Sequence, residues 1–420
     1  MATAEPTKKK KLKALAEKST KSASVHDVKS NKKSEDLQAV EPPKNLGDAC
    51  IAFDLKEIKS KVGSALDILS IANAADDNKN AENSVLLDFR DKSNVVVMYI
   101  RAGALVTIDV QAKVFKTGTL VLDAAVFRAI RGNSPYVVLS LDSRSSSISF
   151  RCGSTRGSVQ MLSTYEEYVM SAPDVKVKTD NLIPKTLVAE TFSRLLFNSF
   201  DPGIPAMGLP LHVSVKKSVL TITSFDNLVG AVYTKQDCKL SDFETVLPGT
   251  VFTRIAKHMD TDVLKCGFTE KAFRVRSHGI DVIHPMATYD LIDILAYLEE
   301  EQGYKAEFEM ILPTNDFMDA IESAMCMSSI DKTESKITIE FEETKGRVLF
   351  QGSNTQSKSP FQIKKMIKPG KNMVIITNGK RIMSFINILK GFVEFRMRVR
   401  KGRAYLFAPD NSFTFMIPLS

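Results

Sequence analysis

Basic side chains recur three residues apart at Lys56 and Lys59, Arg128 and Arg131, and Arg254 and Lys257, with Lys61, Arg194, Lys380, Arg381 and Lys390 in comparable settings. Residues three apart share one face of a helix, so each pair would project two cations together. Cations displayed in this way contact phosphates without reading bases, and binding through them weakens steeply with salt. For any one helix, the competing reading is an ordinary solvated charged face. Recurrence in five of six equivalent helices favours a shared basic surface. The fifth helix, NDFMDAIESAMCM, breaks the pattern with Asp316, Asp319 and Glu322.

Residues suited to catalysis form no comparable constellation. The histidines, His26, His212, His258, His278 and His284, have no HExxH or HxH spacing. His278 and His284 in HGIDVIH read as neighbours on one strand face, but no cysteine or carboxylate pair accompanies them to complete a metal site. No GxxxxGK[ST], GxGxxG or GxSxG occurs, so phosphate-cradling loops and a nucleophile elbow are unsupported. The acidic runs YLEEEQ and EFEETKG read as solvated linker and strand faces. Cys50, Cys152, Cys238, Cys266 and Cys326 are odd in number and widely spaced without CxxC, which reads as reduced thiols. The chain is therefore expected to be no enzyme and to need no cofactor or metal.

The elements that carry the basic residues repeat. An apolar strand runs into a helix start six times, at Asp54, Asp123, Pro184, Pro248, Pro313 and Asn378, with successive gaps of 69, 61, 64, 65 and 65 residues. That period is too long for one helix pair per repeat. Within a copy the order is strand, a helix of about three turns, then alternating strands separated by Gly, Asn, Asp and Ser turns. In the second copy Phe127 and Ile130 are followed by YVVLSLD, SSISFRC and GSVQML; in the fourth, Val251, Phe252 and Ile255 are followed by VLKCGF, AFRVRS and IDVIHP. One helix over about four antiparallel strands is an α+β module, and two modules make a domain of ordinary size. The expected organisation is a tail over 1–45 and three similar domains over 46–176, 177–303 and 304–420, with boundaries at SAPDVKVKTDN and EEEQGYKAE, where the apolar spacing lapses.

Charge is unevenly spread along this layout. The chain carries a formal +8, of which the tail supplies +5 from eleven lysines against six acids, leaving +3 for the rest. A basic surface on the folded part must then arise by segregation of charge. The tail is rich in Lys, Ser and Ala and is expected to be disordered, because it has too little apolar surface to offset ordering entropy. Its KKKKLK run reads as an auxiliary DNA-binding arm, a solubilising run or an import signal. A composition of 44% hydrophobic and 25% charged residues, with no apolar run near the roughly 20 residues of a membrane span, reads as a soluble cytosolic protein. The polar N-terminus reads as no secretory signal.

The three-domain, six-module layout, LPGTVFTRIAKHM and the ending FTFMIPLS resemble the bacterial-type DNA polymerase sliding clamp, the beta-subunit processivity ring, over nearly all the chain after the tail. A divergent viral or phage version is left open. The resemblance implies that two three-domain protomers close head to tail, that helices line the hole, and that sheets form the outer layer. Duplex DNA would be encircled without sequence preference while the replicative polymerase, the clamp loader and other peptide-bearing proteins are tethered. The implied site of action is the cytoplasm at replicating DNA, with a nuclear or virus-associated site open. Two rival readings stand beside it. One is a structural or assembly protein of repeated β modules; the other is a monomeric accessory factor that binds DNA without encircling it.

The resemblance also implies two protein-contact sites. The dimer contact maps onto Val159 and Met161 in GSVQML and onto Cys326 and Met327 after the fifth helix. The partner-peptide pocket maps onto Ala206, Met207 and Gly208, onto Phe225, Asn227 and Gly230 in SFDNLVG, onto Ile294, and onto Phe415, Ile417, Pro418 and Leu419. Phe225 stands where the family commonly has Thr, and Gly230 where it has Leu. The other reading of MIPLS is a closing strand packed on its own sheet.

Overall fold

The computed structural model describes residues 37–44, 46–70, 83–173, 175–196, 210–225, 230–286, 305–331, 336–400 and 402–419. The chain divides into two compact units, the first drawn from Met1–Leu69, Asp76–Pro173 and Gly279–Asp281, the second from Ser70–Ala75, Asp174–His278 and Val282–Ser420. Among the described residues, no helix is long and apolar enough to cross a membrane.

In the first unit, strand Ala49–Asp54 leads into helix α1, Leu55–Ile68. Asp54 starts the helix as an N-cap, its carboxylate accepting from the Glu57 N–H at 2.8 Å. Ile58, Val62, Ala65 and Ile68 form the buried stripe of α1 at helical spacing, leaving its lysines off the core face. The Ala49–Asp54 strand lies in a five-stranded sheet, in the order Ala112–Lys116, Ala49–Asp54, Tyr136–Asp142, Ser147–Cys152, Thr155–Gln160. A second run orders Ala104–Asp109, Val96–Arg101, Ser84–Asp88 and Thr119–Asp123.

Two features of this unit depart from the sequence reading. Helix α2 spans only Ala125–Ala129, little more than one turn, because Ile130 is already extended and the following Gly-Asn-Ser-Pro steers the chain away. Gly132 lies so close to Cys152 that an added Cβ would stand 2.5 Å from the Cys152 carbonyl oxygen. A further helix, α3 (Tyr165–Val169), is closed by a capping box between Thr164 and Glu167. It seats Tyr168 on Leu86 and Val121, and the Tyr168 hydroxyl donates to the Ser84 carbonyl at 2.8 Å.

Part of the stretch expected to be disordered, residues 37–44, is described and packs on the first unit. Leu37 is 4% exposed and packs on Cys50, Ala52 and Val138. Apolar burial of this side chain, with Val40 and Leu46 beside it, offsets part of the ordering entropy of this stretch.

The second unit contains the remaining four anchors. Pro184 ends a strand before the helical segment α4, 185–195, whose Val188–Phe192 turn is π-wound. Strand Phe243–Pro248 precedes α5, Gly249–His258, and strand Phe308–Pro313 precedes α6, Thr314–Asp331. Strand Val374–Asn378 precedes α7, Gly379–Leu389, where Asn378 caps the Arg381 N–H at 3.2 Å. Helices pack in pairs, α4 on α5 through Phe192 and Phe252 at 5.5 Å between ring centroids, and α6 on α7.

A nine-stranded sheet runs through this unit in the order Phe243–Pro248, Pro210–Lys216, Val219–Phe225, Gly230–Lys235, Phe413–Pro418, Arg403–Phe407, Glu394–Arg400, Phe308–Pro313, Lys365–Lys368. Its central joint pairs Gly230 with Met416 and Ala231 with Phe415. The boundary expected near 303 and 304 lies outside the described residues. A four-stranded sheet orders Gln356–Gln362, Lys345–Gln351, Lys336–Phe341, Val374–Asn378.

His284 is buried in strand Ile280–Pro285, its ring stacked on Phe273 at 5.2 Å and its Nδ1 2.7 Å from the Pro285 carbonyl oxygen. His278 does not share that strand face as expected. It is exposed in the turn before the strand, where Gly279 adopts a φ of +72°. Burial holds the His284 pKa below its ordinary value, so the unfolded chain takes up a proton near pH 6.5 that the folded chain still refuses. Stability from this group is complete above that pH and is lost as pH falls below it. Unfolding midpoints in denaturant at pH 7.5 and 5.5 should differ less for His284→Leu than for the native chain; equal falls would assign the pH effect to other groups.

Candidate nucleic-acid interface

The basic residues differ in exposure and in contacts. On α1, Lys56 is exposed and Lys61 half-buried, while the Lys59 ammonium donates to the Ile130 carbonyl at 2.7 Å and so ties α1 to the end of α2. Arg128 is exposed on α2. Arg131 is exposed too, but it follows the extended Ile130, so the two arginines do not share a helical face.

In the second unit Arg194 is exposed in α4 and Lys257 in the last turn of α5. Arg254 is half-buried and bonded to the Ser70 carbonyl and, at 2.9 Å, to the Ser70 hydroxyl. On α7, Lys380 is exposed and Arg381 half-buried, with Lys390 exposed at the C-cap. Helix α6 exposes Asp316, Asp319 and Glu322, as its sequence indicates.

Val159 is half-buried on Thr155–Gln160, the end strand of the five-stranded sheet, opposite Ile148. Met161 lies just beyond, its N–H donating to Ser146 and its side chain packed against the cluster of Leu86, Val121 and Tyr168. Cys326 is exposed and Met327 half-buried. They sit inside α6 and not after it, because the helix continues to Asp331. Helix α6 packs on Gln356–Gln362, the end strand of its sheet, and the Thr355 hydroxyl donates to the Met327 carbonyl at 3.3 Å.

Around the last strand, alternation sorts the side chains. Phe415 and Ile417 are fully buried on the helix side, where the Phe415 ring lies 5.0 Å from that of Phe385 in α7. For these two, the closing strand is packed on its own sheet. The opposite face carries Met416, clustered with Val232, Tyr405 and Phe407, and the half-buried Phe225 packs against them. Arg396 and Arg398 stack on Phe407 at 4.5 and 5.6 Å and both pair with Glu309. Pro418 and Leu419 are half-buried, and Gly230 is buried opposite Met416. Ala206, Met207, Gly208, Asn227 and Ile294 lie outside the described residues. The sequence reading passed over Met416, although the two-residue alternation of FTFMIP separates it from Phe415 and Ile417.

Groups suited to chemistry are dispersed or buried. The five cysteines are free; burial pushes the Cys266 thiol up to about 12, and only Cys326 is exposed. His212 lies 3.0 Å from Glu244, which Lys216 also pairs at 2.8 Å, and these hydrogen bonds lower the Glu244 pKa. Among the described residues, no group of three or more His, Cys, Asp or Glu stands together as a metal site would require.

No protein-family model matches the sequence, and no curated protein matches it. Solved structures match over most of the chain. The DNA polymerase sliding clamp from Bacillus subtilis is 13% identical with a TM-score of 0.75, covering 89% of this chain and 99% of that one. The DNA polymerase III beta chain from Streptococcus pneumoniae is 12% identical, with the same TM-score of 0.75 and the same coverage of 89% and 99%. The DNA polymerase III beta subunit from Thermotoga maritima is 12% identical at a TM-score of 0.71, again covering 89% and 99%. The chain thus has the α+β sliding-clamp fold.

Proposed function

Starting from the sliding-clamp fold, we propose that two copies of this chain close head to tail around duplex DNA and tether a polymerase and other replication proteins to it. The observation that carries this reading is the display of exposed Lys or Arg on α1, α2, α4, α5 and α7 within that fold. Weak phosphate contacts from several helices would centre a duplex without fixing its register, which permits sliding. Topology, not affinity, would then keep the ring on DNA, and the work is mechanical, not enzymatic. The site of action is replicating DNA, and the domains are 46–176, 177–303 and 304–420.

The end strands Thr155–Gln160 and Gln356–Gln362 support the closure, since a head-to-tail ring joins two different surfaces of identical chains. Val159 and Met161 stand at one of them, Cys326 and Met327 over the other. The partner peptide, from a polymerase, a loader or another client, docks beside the central joint of the nine-stranded sheet. Phe225, Gly230, Met416, Pro418 and Leu419 receive it there, with Phe415 and Ile417 supporting the strand from behind. Sedimentation velocity across dilution should give a species at twice the protomer mass. A persistent monomer would favour the accessory factor that binds DNA without encircling it.

A further inference from the structure

The face of the nine-stranded sheet turned away from its helices changes from apolar to cationic across the strands. Partners in register stand side by side on one face, so Phe225, Gly230, Met416, Tyr405, Arg398 and Glu309 form a single row over six strands. Pro418, Arg403 and Arg400 form the next row. The half-buried Pro418 thus stands directly beside Arg403. The Leu419 N–H donates to the Gly402 carbonyl at 2.8 Å, fastening the end of the chain to the turn between the two arginines.

Charge on this face is not balanced. Arg396, Arg398, Arg400 and Arg403 all lie on it, whereas the strands of these rows carry only the carboxylates Glu309 and Glu394. Glu309 already serves both Arg396 and Arg398, at 3.6 and 3.2 Å, and Glu394 is engaged by Lys364. The exposed Glu307 lies just before strand Phe308–Pro313. Arg400 and Arg403 are half-buried and directly opposite each other, and like charges so placed destabilise a sheet. An added carboxylate would relieve the repulsion, because a guanidinium binds it through two parallel N–H donors.

We infer that the client peptide taken at the sheet joint carries an acidic side chain, bound by Arg400 and Arg403, about four residues from the apolar side chain that meets Phe225, Pro418 and Leu419. This rests on the proposed peptide site and names the chemistry of its ligand. The spacing follows from the sheet. The strand of Arg403 lies two strand separations from that of Gly230, and Arg403 is one row along. At about 4.8 Å per strand and about 3.4 Å per residue, the two stand roughly 12 Å apart, which an extended peptide covers in about four residues. A peptide fits this place better than a nucleic-acid backbone does. The half-buried Pro418 and Leu419 border the arginines, and a phosphate backbone offers them no apolar group.

The test selects peptides from a random library displayed on phage against the full chain and measures their binding by fluorescence anisotropy. Those whose binding is lost in Leu419→Asp dock at the joint. They should share an Asp or Glu about four residues from an apolar residue. Replacing that acid by its amide in the peptide should weaken binding to the native chain about tenfold and leave binding to Arg400→Gln with Arg403→Gln unchanged. The first of these changes is made in the peptide, so it is read without disturbing the fold. Joint-dependent peptides with no shared acidic position, or an equal loss on the native chain and the arginine variant, would overturn the acidic contact and leave the site standing. A selection with no Leu419-dependent peptide would fail the site itself, and this inference with it. Loss of affinity for a short DNA duplex in the arginine variant, with peptide affinity unchanged, would assign the arginines to nucleic acid and overturn the inference.

Discussion

Phe415→Ala is expected to lower the unfolding free energy of the second unit by about 3–5 kcal/mol, the range for emptying a buried aromatic site. Phe415 has no exposed surface. Its ring lies 5.0 Å from Phe385 and 6.0 Å from Phe413. Its strand is also the joint of the nine-stranded sheet, since Phe415 is opposite Ala231 on one side and Leu406 on the other. A cavity there loosens α7 and both halves of the sheet together. The chain has no tryptophan, so far-UV circular dichroism in denaturant is the suitable probe. A change under about 1 kcal/mol would mean that the site collapses freely and that the joint does not depend on this ring.

The second large effect is electrostatic. Lys56, Arg128, Lys257 and Lys380 are exposed on four different helices. Replacing all four by glutamine should leave the fold intact, because surface substitutions of this kind usually change stability by less than about 0.5 kcal/mol. If each contacts one phosphate, the salt slope of DNA binding should fall in magnitude by roughly 3.6, at about 0.9 per contact. An unchanged slope would mean that these cations are solvated face charges, the reading that was open for each helix singly. Arg254 is left out of the set because it is engaged with Ser70, so its replacement would mix structural loss with lost charge.

The repeat and its module order were legible because they rest on local signals. Asp54 and Asn378 cap the helices they precede, and the strands of the second and fourth copies form where alternation predicts them. What failed was the assumption that spacing alone fixes a shared face. Arg131 is three residues from Arg128, yet the extended Ile130 between them ends the helix, and His278 is parted from His284 by the turn at Gly279. The α3 helix had a readable signal, Thr164 and Glu167 at capping-box spacing, that the repeat pattern obscured. The docking of Leu37 had no local signal, because its contacts on Val138 join residues far apart in sequence. At the end of the chain the alternation needed reading one residue at a time to separate Met416 from the buried Phe415 and Ile417.

The most direct test of the ring is retention of the native protein, assembled with a clamp loader, on closed circular DNA before and after a single cut by a restriction enzyme. Encirclement predicts that protein stays on the circle through a high-salt wash and leaves promptly from the ends once the circle is opened. Equal retention on circular and linear DNA, with both lost at high salt, would contradict it, because that is the behaviour of a protein held by phosphate contacts alone.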